Sequence, residues 1–303
     1  MNIEAVKRMT PHRRFLYWIK ERHKIYLRRE GEGKKKPWTD DEVMRNFFFT
    51  NPYRENDKVT RWFRELIREP LRDDPRVLLA TIIFRWFNYI PTGNSLLHPG
   101  LDSKLCLLTN WNKKRALRVL RALRTEGNVF TGAFMINSPA GKPKLEAIVD
   151  RIQNVWANRE ELFENISEQR EDTLQAAHEF LTAYDGLGGF MAYEIVCDLR
   201  YTYLLENAED IETWCHIGPG ATRGLYRILD LPFPKGKNSS SPTRIKDGVG
   251  EVRKLLAFVQ KNLTSMPDFE MREIEHSLCE WDKYERMLWQ DGRSKRRYNG
   301  NSD

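Results

Sequence analysis

Paired cysteines are missing from this chain. Cys106, Cys197, Cys215 and Cys279 are scattered through 303 residues without a C-x-x-C pair, which excludes zinc-ribbon spacing and the clustered thiolates of an iron–sulfur centre. Isolated thiols of this kind suit a reducing compartment, where they pack as small apolar groups. No apolar run approaches the roughly 18 residues a membrane-spanning helix needs. The opening Met1-Asn2-Ile3-Glu4-Ala5 lacks the apolar stretch of a signal peptide. A cytoplasmic protein with no membrane association is expected. There is no G-x-x-x-x-G-K-[ST] phosphate loop, no dinucleotide fingerprint after a strand and no repeat of solenoid length. No nucleotide cofactor is expected.

What is present is positive charge. Fifty Lys and Arg against 43 Asp and Glu give a formal charge of +7, and a pI near 9.1, a balance that suits a polyanionic partner. A charged fraction of 31% beside 40% apolar residues fits a globular protein. The length permits one large domain or two packed lobes, and residues 1–303 are expected to form a single two-lobed helical domain.

Apolar residues recur at helical spacing along most of the chain. Helices are expected over residues 9–27, 58–68, 74–87, 102–107, 113–126, 144–157, 170–184, 189–204, 248–262 and 268–289, with a short extended piece at 129–136. Residues 28–37 interleave glycine, charge and Pro37 as an exposed basic loop. Thr39, followed by Asp40, Asp41 and Glu42, marks a capped helix start. A long loop is expected at 233–246 and a frayed basic tail at 292–303. The fold class is all-α.

Two glycine turns punctuate residues 184–228. The first is Tyr184-Asp185-Gly186-Leu187-Gly188-Gly189-Phe190, and the second is Ile217-Gly218-Pro219-Gly220-Ala221-Thr222-Arg223. Each is expected between helical segments, and an apolar residue with Gly-x-Gly opening a helix describes a helix-hairpin-helix element. Its glycines permit left-handed or close-approach backbone, and the amides at the following helix start can receive a phosphate. Gly186, Gly188, Gly189, Gly218 and Gly220 are therefore candidate DNA-binding positions.

Polar side chains concentrate between Asn51 and Trp62. Arg54 is suited to bidentate contact with a phosphate, and Glu55 and Asp57 are candidate bases or amine anchors. The competing reading is a helix start capped by Asp57 and surrounded by surface ion pairs. Lys114, Arg118 and Arg121 share one helical stripe, opposite Leu117, Leu120 and Leu123; such a row can follow a phosphate backbone or simply face water. Glu194 and Asp198, four residues apart, are a candidate carboxylate pair or an outward polar face. Glu273-x-x-His276 is half of a di-iron helix motif without a second copy, so His276 is read as structural or DNA-facing, and no metal site is expected.

Several long segments resemble the bacteriophage α-glutamyl/putrescinyl thymine pyrophosphorylase family, whose fold recurs as the helical domain of 5-hydroxymethyl-deoxyuridine DNA kinases. They include Phe49-Thr50-Asn51-Pro52-Tyr53-Arg54-Glu55-Asn56-Asp57-Lys58-Val59-Thr60-Arg61-Trp62, Phe130-Thr131-Gly132-Ala133-Phe134, Asp198-Leu199-Arg200-Tyr201-Thr202 and Glu275-His276-Ser277-Leu278-Cys279-Glu280-Trp281-Asp282-Lys283-Tyr284-Glu285-Arg286. The resemblance runs through nearly the whole chain. It implies a DNA-glycosylase-like helical fold and a part in thymine hypermodification of double-stranded phage DNA. In that chemistry an amine, such as an amino acid or a polyamine, replaces the pyrophosphate of 5-pyrophosphoryloxymethyluracil.

Within that implied reaction, Arg54, Arg61 and Arg223 are the candidate cations for the departing pyrophosphate. Glu55, Asp57 and Asp198 are the candidate proton acceptors, and Tyr53 and Trp62 the candidate stacking platforms for a flipped base. No cofactor is required, although the pyrophosphate leaves room for a divalent ion. Two alternatives stand beside transfer: a base-excision glycosylase, for which the expected aspartate is missing at the second glycine turn and only Asp210 and Glu212 lie slightly upstream, and a non-catalytic DNA-binding subunit. A monomer is the default expectation.

Overall fold

The computed structural model describes residues 3–97, 111–132, 141–167, 173–233 and 245–291. Every regular element among them is helical. The α-helices, in chain order, are α1 (Ile3–Lys7), α2 (Pro11–Tyr26), α3 (Glu42–Asn46), α4 (Lys58–Phe63), α5 (Arg76–Phe87), α6 (Ile90–Leu97), α7 (Lys113–Glu126), α8 (Lys144–Ala157), α9 (Arg159–Ser167), α10 (Leu174–Thr182), α11 (Gly189–Leu199), α12 (Pro219–Ile228), α13 (Gly248–Asn262) and α14 (Met271–Leu288); Leu27–Gly31 and Arg64–Arg68 are single π-helical turns and Arg54–Asn56 a 3-10 turn. No described helix is long and apolar enough to cross a membrane.

The chain divides into two compact units, one of Met1–Asp57 with Ile211–Asp303 and the other of Lys58–Asp210. The first unit is organised around α14. Its apolar residues at helical spacing, Ile274, Leu278, Trp281 and Tyr284, are fully buried. Trp281 meets Phe15 of α2 edge-on at 5.4 Å, and Tyr284 meets Phe49 at 6.1 Å. The Tyr284 and Tyr17 hydroxyls both donate to Asp41 Oδ2, at 2.7 and 3.0 Å. Asp41 Oδ1 in turn accepts from Met44 N–H and caps α3. The expected cap residue, Thr39, instead accepts from Asp41 N–H and donates to Glu21, so the helix starts two residues later than its composition suggests. Arg14 and Glu285 form a buried pair, with Nε–Oε1 and Nη2–Oε2 each at 2.9 Å.

The second unit is built on α5, which is buried along nearly its whole length. Asp74 starts it by accepting from Arg76 N–H at 2.8 Å, and Asn88 ends it in the left-handed region at φ 43°. Aromatic packing at Phe63–Phe84, 4.6 Å between nearly parallel rings, continues the core. α6 is not expected from sequence, because Pro91 and Gly93 read as breakers. Here Pro91 lies in the first turn, where its missing N–H is harmless, and Gly93 admits the Trp62 ring so closely that a Cβ would stand 2.4 Å from it.

α7, α8 and α13 have the expected bounds. α9 is a helix where none is expected, and residues 129–132 are bends rather than an extended strand. The remainder of that piece, the helix expected at 102–107, most of the loop at 233–246 and the tail at 292–303 lie outside the described residues. Residues 30–37 are exposed, but the loop expected at 28–37 starts later, because Leu27–Gly31 prolong α2 as one π-helical turn.

Candidate functional site

Of the four carboxylates considered for chemistry, Asp198 is removed by its surroundings. It is fully buried, and both oxygens are held by Arg85, Nε–Oδ2 at 2.6 Å and Nη2–Oδ1 at 2.8 Å, with Arg68 Nη1 at 3.6 Å. Arg85 Nη1 also reaches Glu194 Oε2 at 3.1 Å. The i, i+4 carboxylates of α11 thus form neither a base nor an outward polar face. They neutralise arginines inside the second unit, where an unpaired charge would be costly. Asp210 is likewise engaged: its oxygens accept from Leu174 N–H and Gln175 N–H at 2.6 and 3.0 Å, capping α10.

The polar loop between Thr50 and Asp57 is tightly knit. Asn51, almost wholly buried, donates to Asp57 Oδ1 from both its backbone N–H and Nδ2, at 2.9 and 2.8 Å. Arg54 Nε lies 2.8 Å from Asp57 Oδ2. Glu55 Oε1 pairs with Arg272 of α14 at 3.3 Å. Tyr53 turns inward, its hydroxyl donating to Pro267 O at 2.6 Å and its ring lying against Phe269 at 4.8 Å. Tyr53 is therefore a packing residue rather than a platform for a base. Trp62, against Gly93 and Phe84 in the second unit, is also used in packing. Arg61, on the same helix, is half-buried.

The two glycine turns differ, and they belong to different units. The first joins α10 to α11. Gly186 has φ +83°, and a Cβ there would strike the Arg151 side chain at 2.5 Å; Arg151 Nε pairs with Asp185 at 3.0 Å. Leu187 is fully buried, Gly188 is exposed with open space around it, and Phe190 is exposed at the start of α11. His178 Nε2 lies 2.9 Å from Gly189 O; because a carbonyl only accepts, that nitrogen carries the proton.

The second turn is preceded by turns rather than a helix, contrary to expectation. The Gly218 N–H donates to Glu275 Oε1 at 3.1 Å, so a carboxylate of α14 already occupies the start of α12. Gly220 and Gly224 face α14, where a Cβ would stand 2.2 Å from Cys279 Sγ and 2.5 Å from Leu278 O. Gly218 and Gly220 thus serve helix–helix approach within the first unit, not a phosphate grip. His276 Nε2 lies 3.8 Å from Glu275 Oε2.

The same face of α14 carries residues that the sequence reading did not single out. Glu280 Oε2 accepts from Thr50 N–H at 3.0 Å and from Lys283 Nζ at 2.7 Å. Burial works against its charge, yet Lys283, the Thr50 N–H and Arg54 hold its carboxyl below the ordinary glutamate range. Lys283 Nζ also lies over the Phe49 ring, 4.7 Å from its centroid. Solvent reaches Cys279, but surrounding protein pushes its thiol up to about 12, with Glu280 and Glu275 adding and Arg223 and Lys283 opposing. Arg223 Nε is fixed by Asp282 Oδ2 at 2.9 Å, and the same fully buried carboxylate also holds Arg227 and Arg286. Glu273 is pushed up to about 7, chiefly by burial. Lys283 and Arg54 thus act on Glu280, and Lys283 and Arg223 on Cys279, along one stretch of α14. Among the described residues no three His, Cys, Asp or Glu side chains gather as a metal site.

On α7, Lys114, Arg118 and Arg121 are all exposed on one side, while Ala116 and Leu120 are buried on the other. Arg121 pairs with Glu146 at 3.0 Å.

Residues 10–294 match the family described as 5-hmdU DNA kinase, helical domain. The chain belongs to that family. It is similar to a 5-hmdU DNA kinase of Bacillus phage SP10, with 28% identity over 293 residues, covering 89% of this chain and 44% of that protein. The chain therefore spans less than half the length of this relative. No solved structure matches it.

Proposed function

We propose that the protein acts on 5-hydroxymethyluracil-derived bases in phage DNA, replacing the pyrophosphate of 5-pyrophosphoryloxymethyluracil with a primary amine. What supports this is membership of the 5-hmdU DNA kinase helical-domain family, together with Lys283 bonded at 2.7 Å to a part-exposed carboxylate, Glu280, which Arg54 also stabilises. Such a pairing offers cations to a departing polyanion and a carboxylate to an arriving ammonium.

In the reaction the amine nitrogen bonds to the exocyclic methylene carbon of the base. The bond from that carbon to the pyrophosphate oxygen breaks, the oxygen leaves with the electron pair, and the ammonium proton passes to a carboxylate or to water. The base must leave the helical stack to be reached, at a cost of about a few kcal/mol that backbone contacts offset. The exposed stripe of α7 and the open Gly188–Gly189 turn of α11 are the proposed backbone contacts. The latter is the helix-hairpin-helix element of this reading.

The test is nucleoside mass spectrometry of DNA carrying 5-pyrophosphoryloxymethyluracil after incubation with the protein and a panel of amines. A nucleoside heavier than thymidine by the amine substituent is the expected product. Abasic sites would make the protein a glycosylase, and unchanged nucleosides alongside salt-sensitive DNA binding would make it a binding module.

A further inference from the structure

Lys144 is a cation with nothing to balance it. It opens α8 half-buried, and its ammonium stands over the Phe130 ring, 4.4 Å from the centroid. Burial pushes its pKa down, and no carboxylate among the described residues pairs with it. Nearby cations are treated differently: Lys113 and Lys142 share Asp150, and Arg151 rests on Asp185. The position adds a further cost, because a positive side chain in the first turn opposes the helix dipole, and Pro143 ahead of it supplies no side-chain cap. The Phe130 ring compensates in part. A half-desolvated ammonium without a counter-ion is made good by an arriving anion, and phosphate is the anion that lysine meets as a point charge.

Its surroundings indicate which phosphate. Lys144 and Arg151 share one edge of α8 two helical turns apart, a rise of about 10 Å. Arg151 lies under the first glycine turn, where a Cβ on Gly186 would meet it at 2.5 Å. The end of α5 ties the two places together. Trp86 Nε1 donates to Gly186 O at 3.4 Å, and the next residue, Phe87, stacks on Phe130 at 5.2 Å. Past Arg151 the turn opens at Gly188, which is exposed with clear space around it, and α11 starts there with no side-chain cap.

We infer that Lys144 holds a phosphate of the DNA strand whose neighbouring phosphates lie on the Gly188–Gly189 turn. This rests on the DNA contact at that turn in the reading above, and not on the transfer chemistry. Phe130 already holds the ammonium in place, so less side-chain freedom is lost on binding. Arg151 offsets the charge of Asp185, which would otherwise repel the strand.

The test is fluorescence anisotropy of the full chain with a labelled, unmodified duplex over a salt series, with no amine present. Lys144→Gln should weaken binding several-fold and lower the slope of log K against log salt by about one. Lys144→Arg should keep the wild-type slope. Lys142→Gln removes the same charge from a lysine already on Asp150, and should leave the slope near wild type. Lys144→Gln discards an uncompensated charge, so it should melt no lower than wild type. Calorimetric titration of inorganic pyrophosphate separates the two sources of phosphate, and no binding that depends on Lys144 is expected.

An unchanged slope in Lys144→Gln, or equal losses in Lys144→Gln and Lys142→Gln, would overturn the contact. Pyrophosphate binding abolished by Lys144→Gln would overturn the backbone assignment in favour of the leaving group. Transfer by a protein indifferent to Lys144 would leave the reaction standing without this contact. A Lys144-dependent slope without transfer would keep the contact and remove the reaction.

Discussion

Cys279 Sγ lies so close to Gly220 that a methyl group on that glycine would stand 2.2 Å from the sulfur. Four residues on, Gly224 approaches the backbone oxygen of Leu278 in the same way. α12 and α14 are therefore locked at backbone distance by two missing side chains. Gly224→Ala meets backbone that cannot rotate away and should cost about 1–3 kcal/mol. Gly220→Ala should cost less when combined with Cys279→Ala than alone, since the sulfur is the nearest obstacle. Chemical denaturation of the three variants and the double variant measures this, and additive effects would contradict it.

Cys279 should be a slow thiol despite its exposure. With its pKa pushed up to about 12, alkylation by iodoacetamide at pH 8 should run on the order of 100-fold slower than for a free cysteine. Glu280→Gln removes a neighbouring negative charge and should speed it. Peptide mapping by mass spectrometry reads this position apart from the other thiols, and a fast wild-type reaction would refute the expected electrostatics.

Glu273 gives stability a pH dependence of unusual sign. Its folded-state pKa of about 7 lies above the ordinary 4.5, so its contribution is fully present below about pH 4.5 and is lost as pH rises through 7. The full swing is on the order of 3 kcal/mol. Glu273→Gln should flatten that fall, gaining on wild type at pH 8 relative to pH 5. Unfolding free energies at the two pH values decide it.

Asp198→Asn should act on folding, not selectively on chemistry. It leaves Arg85 and Arg68 short of a buried counter-charge, which costs about 3–5 kcal/mol. A variant that melts like wild type but has lost transfer would restore Asp198 as a catalytic group.

The α7 stripe should govern the salt dependence of DNA binding. Replacing Lys114, Arg118 and Arg121 with Gln should reduce the slope of log K against log salt by about 2–3, close to one for each lost phosphate contact. An unchanged slope would return the stripe to a solvated face.

Local pattern made α7, α8 and α13 legible to the residue: apolar spacing marks all three, Asn112 and Asp247 cap the first and last, and Pro143 precedes α8. The function of Asp198 was not legible. Its partners, Arg85 and Arg68, lie more than a hundred residues away in sequence, and an i, i+4 carboxylate pair looks the same whether it faces water or a buried guanidinium. Glu280 was missed for the opposite reason. It stands in a run of charges on α14 that reads as a solvated surface, and only the fold brings Thr50 and Arg54 to it. The glycines of α12 were seen but given the wrong task, since a close helix approach and a phosphate turn ask for the same residue.

The division of the chain also sets an order of events on the ribosome. The second unit is one continuous stretch, complete in the nascent chain once Asp210 has emerged. The first is not, since it joins the start of the chain to its end. Arg14 must await Glu285, 271 residues later, which at ordinary elongation rates is on the order of ten to sixty seconds. Throughout that interval Phe15 has no Trp281 to cover it, which leaves α2 dependent on a chaperone.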